Sequence, residues 1–340
     1  MDYTREIDRL KLKKEITCDE LGWLLSLSEE QSEYLYKTAR EVCDEHNGKT
    51  INITAEIDYT NYCRYNCLYC GVRAGHVGLT RYRMTNEKIL NTVKNAYDMG
   101  IRSFILQGGV SPMDKDRDIC ELIKKLRTAY PDCSVTLSIG EKNQESYQAY
   151  YDAGAEGFLL YHMSANRDHY GQLHPPVLVF EHRVKCLFEL LDIGYNVGSG
   201  IMIGAPTQTV ECLYDDLSFI NELCPKSIDI VPFIPHDSTP FAFEECCDFN
   251  QALKMLAIIR IIHPKLVLPV TIPLATMDER GYEKGIHAGA NAIVLNFTPI
   301  EIRKRFQLFD EKYGVEDDGK EVFEDIKNRV KNIGYETVFE

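Results

Sequence analysis

From residue 51 onward, short apolar, β-rich runs alternate with longer stretches whose apolar positions recur every three or four residues. The runs are INITAEIDYT (51–60), IRSFILQ (101–107), SVTLSIG (134–140), GFLLYH (157–162), NVGSGIMIG (196–204), SIDIVPFI (227–234), KLVLPVTI (265–272) and NAIVLNF (291–297). Helical spacing fills the intervals near 86–99, 114–129, 143–153, 179–193, 209–223, 248–262 and 279–288, and another helix begins after Pro299. Before residue 51, LGWLLSLS (21–28) and the following SEEQSEYLYKTAREVCDEHNG read as helices closed by Gly48. Eight strand–helix units over about 250 residues predict an α/β fold, a (β/α)8 TIM-type barrel over 51–305. An N-terminal helical extension (1–50) and a charged, helical C-terminal extension (306–340) flank it. An open doubly wound sheet is the structural alternative.

Composition changes this picture little. Hydrophobic residues at 44% and charged residues at 26% are ordinary for a globular chain. The net charge of −14 repels phosphate backbones, so no nucleic-acid partner is expected. No apolar run is long enough for a membrane span, and the charged start lacks a signal-peptide core. Twelve cysteines without a secretory signal point to a metal protein of the cytoplasm rather than a disulfide framework.

In a barrel, chemistry sits where strands end. The first strand runs straight into NYCRYNCLYCG, which places Cys63, Cys67 and Cys70 as CxxxCxxC in the loop that follows. Thiolates are soft ligands suited to iron–sulfur clusters or zinc. A structural zinc site takes four ligands, and no second cysteine pair of chelating spacing is present. Three cysteines satisfy three irons of a 4Fe–4S cube and leave one iron open. A zinc site of these cysteines with His76 is the alternative.

With Tyr69 as its aromatic position, this run resembles the main motif of the radical S-adenosylmethionine (SAM) superfamily. NCLYCGVR, RYRMT (81–85), TLSIGE (136–141), FEHR (180–183), PFIPHDSTP (232–240) and GAN…NFTP (289–299) narrow the resemblance to its HydE-like branch of hydrogenase maturases, related to methylornithine synthase and biotin synthase. The resemblance implies a 4Fe–4S cluster whose open iron chelates SAM, and reductive cleavage of SAM to a 5′-deoxyadenosyl radical. That radical would act on a small molecule or small iron complex inside the barrel, with electrons from a donor such as ferredoxin or flavodoxin. By the same resemblance, Gln107, Gly108 and Gly109 lie beside the SAM methionine moiety, and Arg183 near its carboxylate. Met202 and Ile234 pack against adenosine. Thr136 and Ser138 line the substrate cavity. His236, by its place in the FIPH loop after the sixth strand, is the histidine expected to take an active-site role.

Departures from the branch fall in the pocket. Where relatives carry a glutamate after the fourth strand, this chain has Ser164 in YHMS, which implies a hydrogen bond to SAM without a charge. Tyr161 stands where an arginine often begins that motif, and QGGVS replaces QSGED. Ile105, Val135 and Gly198 occupy the positions at which biotin synthase ligates its second cluster, so sulfur insertion is not expected. His162, His169, His174 and His182 crowd one region and invite a second metal site or a proton relay. The expected function is hydrogenase maturation or a paralogue with a changed substrate. Amino-acid carbon-skeleton rearrangement is the runner-up, and a zinc- or cluster-binding carrier without radical chemistry the reading from another class.

Overall fold

A computed structural model of the chain describes residues 2–310, 312–314 and 319–339. Its parallel strands are β1 (Thr50–Thr60), β2 (Ser103–Gly108), β3 (Ser134–Ser138), β4 (Gly157–Leu159), β5 (Asn196–Ile203), β6 (Ser227–Pro232), β7 (Pro269–Val270) and β8 (Ala292–Asn296). The order β6-β5-β4-β3-β2-β1-β8-β7 places β1 between β2 and β8, in register Ala55 to Phe104 and Asn52 to Ala292. Between the two outermost strands, the Ile228 N–H donates to Val267 O (3.0 Å) and the Val267 N–H to Lys226 O (3.1 Å), which nearly closes the ring. This is the (β/α)8 barrel expected from the alternation, not an open doubly wound sheet.

Strand β1 shows why the sequence closes this way. Ile51, Ile53, Ala55 and Ile57 are fully buried and point outward under the helices. Asn52, Thr54, Glu56 and Asp58 alternate with them and point into the lumen. The crossover helices are begun by side-chain caps, such as Thr85 before Asn86–Asp98 and Asn143 before Gln144–Ala153.

Before the barrel stand three helices, Tyr3–Lys13, Cys18–Leu25 and Glu29–Asn47, the last two opened by capping boxes at Thr17 and Ser28. Arg40 of the third donates to Ile286 O (2.9 Å) and Ala290 O (2.8 Å), fixing it to the approach of β8. After the barrel, helix Gly319–Asn332 buries Phe323, Ile326 and Val330. The C-terminal segment is not wholly helical as expected. Its end forms β9 (Glu336–Val338), which pairs with the start of β1. A three-residue strand has no periodicity of its own; the start of β1, ahead of its register with β2, supplies the ladder. Among the described residues no helix is long and apolar enough to cross a membrane.

Candidate active site

The loop after β1 carries the three cysteines and is fastened to several neighbouring loops. The Arg64 N–H donates to Val110 O (3.0 Å), that of Leu68 to Leu173 O (2.9 Å) and that of Gly71 to Leu308 O (2.9 Å). Arg81 binds the loop from inside, donating to Asn61 O (2.5 Å), Val72 O (2.7 Å) and Arg73 O (2.6 Å). These bonds hold the backbone of the loop without any help from the thiols.

Cys63, Cys67 and Cys70 are free, half-buried thiols. Burial, then the neighbouring thiol of Cys63, pushes Cys67 up to about 12, and Cys70 is raised in the same way. Thiolates in such a place call for a bound cation. Three soft sulfurs carried on one loop suit a 4Fe–4S cube with one iron left open. His76 Nδ1 lies 2.7 Å from Gly71 O.

Gly108 and Gly109 serve this loop directly. A Cβ on Gly109 would fall 2.4 Å from Tyr62 O and 2.7 Å from the Cys63 Cβ, and one on Gly108 would meet Thr60 and Tyr59. The glycines let the cysteine loop lie flat against the end of β2.

Beneath the loop opens a cavity of about 810 Å³, counted with its mouth. Tyr69, Met163, Met202, Phe233 and Ile234 form an upper apolar wall. Ile105, Leu159, Val294 and Asp229 line both this cavity and a second one at the opposite end of the barrel, so they form its floor. Glu56, Gln107, Tyr161 and Lys312 also line it. The Tyr69 hydroxyl lies 3.2 Å from His174 Nε2, whose Nδ1 faces Tyr170 O (2.9 Å). Burial pushes His174 down to about 3, so its ring is neutral and accepts from Tyr69.

Arg183 is buried rather than spread on an exposed helix face. Its Nε donates to Glu141 Oε1 (2.6 Å) and its terminal nitrogen to Tyr161 O. Glu141 also faces His182 Nδ1 (3.0 Å).

Other sequence-derived candidates lie elsewhere. Ser164 is fully buried, with its Oγ 3.0 Å from His169 Nδ1, while Met163 faces the cavity. A left-handed φ of 64° at Met163 turns the chain between them. Thr136 lines the cavity at the opposite end, in mid-strand. Ser138 reaches the site only through Gln107, donating to its Oε1 (3.4 Å). His236 is buried against Gly71, behind the cysteine loop, with Asp237 and Asp310 nearby. Of the four clustered histidines, His162 bonds Ser199, His169 bonds Ser164, His174 pairs with Tyr69 and His182 with Glu141; the described residues bring no metal-binding group together from them.

A polar group on the inner wall belongs to no local sequence motif. Asp58 accepts from Gln107 Nε2 (3.1 Å) and Asn296 Nδ2 (2.6 Å), with Lys312 Nζ 3.4 Å away. Asp229 accepts from the Tyr161 hydroxyl at 2.5 Å. The Tyr161 ring lies over Gly200, where a Cβ would come within 2.6 Å of it. Burial, then the charge of Asp58, pushes Glu56 up to about 8; burial pushes Asp229 up to about 6. The available signal was a charged residue at inward positions of otherwise apolar strands, Glu56 and Asp58 in ITAEIDYT and Asp229 in SIDIVPF.

Comparison with known proteins follows this geometry. The pattern of the radical SAM superfamily matches residues 57–220. The [FeFe] hydrogenase maturase subunit HydE of Thermotoga maritima is 39% identical over 314 residues, covering 92% of this chain and 85% of that protein. 3-Methylornithine synthase of Methanosarcina acetivorans is 27% identical over 88% of this chain and 85% of its own length. Among solved structures, methylornithine synthase superposes with a TM-score of 0.83 at 22% identity, covering 98% of this chain and 97% of that one, a likeness of fold.

Proposed function

Because this chain belongs to the radical SAM superfamily, in the branch of the hydrogenase maturase HydE, we propose that it works in hydrogenase maturation, on a small substrate held in the barrel. Its cofactors as a radical SAM enzyme are a 4Fe–4S cluster and SAM. When bound, the cluster supplies the electron that cleaves SAM to methionine and a 5′-deoxyadenosyl radical. The protein supplies binding, orientation and exclusion of water. Cys63, Cys67 and Cys70 hold the cluster, on a loop that Arg81 and Gly109 keep in place. Arg183, oriented by Glu141, serves the SAM carboxylate with a forked donor. Tyr69, Met202 and Ile234 offer adenosine an apolar wall. The electron donor is a small reductant of the ferredoxin or flavodoxin type.

The observation that carries this reading is 39% identity to HydE over most of the chain, with the cysteine loop seated over the cavity. The test has two stages. Anaerobic protein reconstituted with iron and sulfide, given SAM and a strong reductant, should yield 5′-deoxyadenosine. The same preparation should then replace HydE in activating an immature [FeFe]-hydrogenase in vitro. Deoxyadenosine without activation would overturn the maturation assignment and leave the radical chemistry standing. A second reading, chemistry of the kind carried by 3-methylornithine synthase, is favoured by the carboxylates of the cavity floor.

A further inference from the structure

Among the described residues the cavity is lined by two carboxylates, Glu56 and Asp229, and one cation, Lys312, with a third carboxylate, Asp58, fully buried beside Lys312. Lys312 lies by Asp58, at 3.4 Å. No described ion pair joins Glu56 or Asp229 to a cation. Glu56 takes amide donors, Asn296 Nδ2 at 3.4 Å and Gln107, and Asp229 takes the Tyr161 hydroxyl. Both are buried to within 7% of full enclosure. Burying ionised carboxylates without a counter-charge is costly. Beside them the floor is aliphatic, made of Ile105, Leu159 and Val294. Tyr161 adds to the same sense, since it stands where the resemblance expects a cationic arginine.

We propose that the substrate of this enzyme carries an aliphatic ammonium group, which Glu56 and Asp229 bind at the floor while its hydrocarbon stem packs on Ile105, Leu159 and Val294. The inference rests on the reading that the radical acts on a small substrate inside the barrel. The groups that face this site are Glu56 and Asp58 on β1, Asp229 on β6, Tyr161 after β4, Lys312 from the C-terminal segment and Tyr69 from the cysteine loop. With Glu56 pushed up to about 8, its carboxyl keeps its proton near neutral pH until a cation arrives. Binding an ammonium then releases a proton.

SAM is itself a cation, so the probe is titrated calorimetrically into reconstituted enzyme already saturated with SAM and without reductant. Three probes of similar length are used: n-butylammonium, n-butanol and n-butanoate. Butylammonium should bind about tenfold tighter than the other two, as expected for hydrogen bonds to charged partners. Its heat should depend on the ionisation enthalpy of the buffer. Asp229→Asn should erase the preference and Asp229→Glu should retain it, which separates lost charge from lost fold. Equal affinities, a preference for butanoate, no binding of any probe, or an unchanged preference in a folded Glu56→Gln/Asp229→Asn double variant would each overturn the proposal. No turnover enters the titration. A protein that prefers ammonium but makes no 5′-deoxyadenosine therefore sinks the radical reading alone, and one with the opposite pattern sinks the substrate class alone.

Discussion

At the mouth of the barrel the protein answers its own charges: Arg183 rests on Glu141, and Arg81 on four backbone carbonyls. At the floor, Glu56 and Asp229 take neutral donors, and no described ion pair joins either to a cation. The mouth is thus finished before any ligand arrives, apart from the thiols, which await metal. The floor is a place where bound substrate supplies what the chain leaves out. Preorganised parts of a site hold what every turnover needs, while incomplete parts choose among substrates.

The harshest way to break this comparison is at the thiols. Cys67→Ala removes one of three cluster anchors, and the backbone bonds of the loop do not depend on it. Iron–sulfur absorbance and 5′-deoxyadenosine formation should vanish together, while the far-UV circular dichroism stays that of the parent. Undiminished cleavage by this variant would remove the cluster from Cys67.

The two regions also differ in how far they could be read from sequence. The cysteine motif is contiguous, spanning Cys63 to Cys70 after a strand whose alternation is plain, so its place at the mouth follows from the barrel alone. Arg183 was legible as a residue, but Glu141, which orients it, stands 42 positions away on another loop. Tyr161 and Asp229 are 68 apart, and Lys312 and Asp58 are 254 apart. These pairs exist only once strands close, and no local pattern announces them. Lys312 sits in a segment that reads as an appendage, so nothing in its neighbourhood points to a cavity. The place of Ser164 in the motif predicts that it faces SAM. The left-handed turn at Met163 sends Ser164 inward instead.

Ser164 gives the next test. His169 Nε2 lies 3.2 Å from Pro206 O, to which it must donate, so Nδ1 accepts from the serine hydroxyl. A carboxylate at 164 would meet an acceptor in a fully buried place, and burial lowers the readiness of His169 to protonate. Ser164→Glu should therefore destabilise the fold by about 3 kcal/mol or more in urea unfolding, the usual consequence of a buried unpaired charge. SAM affinity should gain nothing. Tighter SAM binding would mean that residue 164 faces the mouth after all.

Gly109→Ala is a milder probe of the same region. The new methyl meets a backbone oxygen at 2.4 Å, which cannot rotate away, so the cysteine loop must lift. Overpacking of this kind costs about 1–3 kcal/mol. Iron bound per chain should fall while the barrel stays folded. Full iron loading would show that the loop tolerates displacement and that the cluster, not the glycine, fixes its position.

The last test separates the floor from the mouth by pH. Burial raises the folded Glu56 carboxyl from 4.5 to about 8. Between those values the unfolded chain ionises while the folded one keeps its proton. The contribution of Glu56 to stability is therefore complete below pH 4.5 and is lost as pH rises through 8, with a slope of at most about 1.4 kcal/mol per pH unit. Glu56→Gln cannot ionise, so its stability should fall less steeply than that of the parent between pH 5 and 8, and the two curves should run parallel above pH 9. The mouth variant Gly109→Ala should instead stay offset from the parent by a constant amount across the whole range. If Glu56→Gln also kept a constant offset, the floor would hold an ordinary carboxylate, already paired within the protein, and the contrast between the two ends of the cavity would disappear.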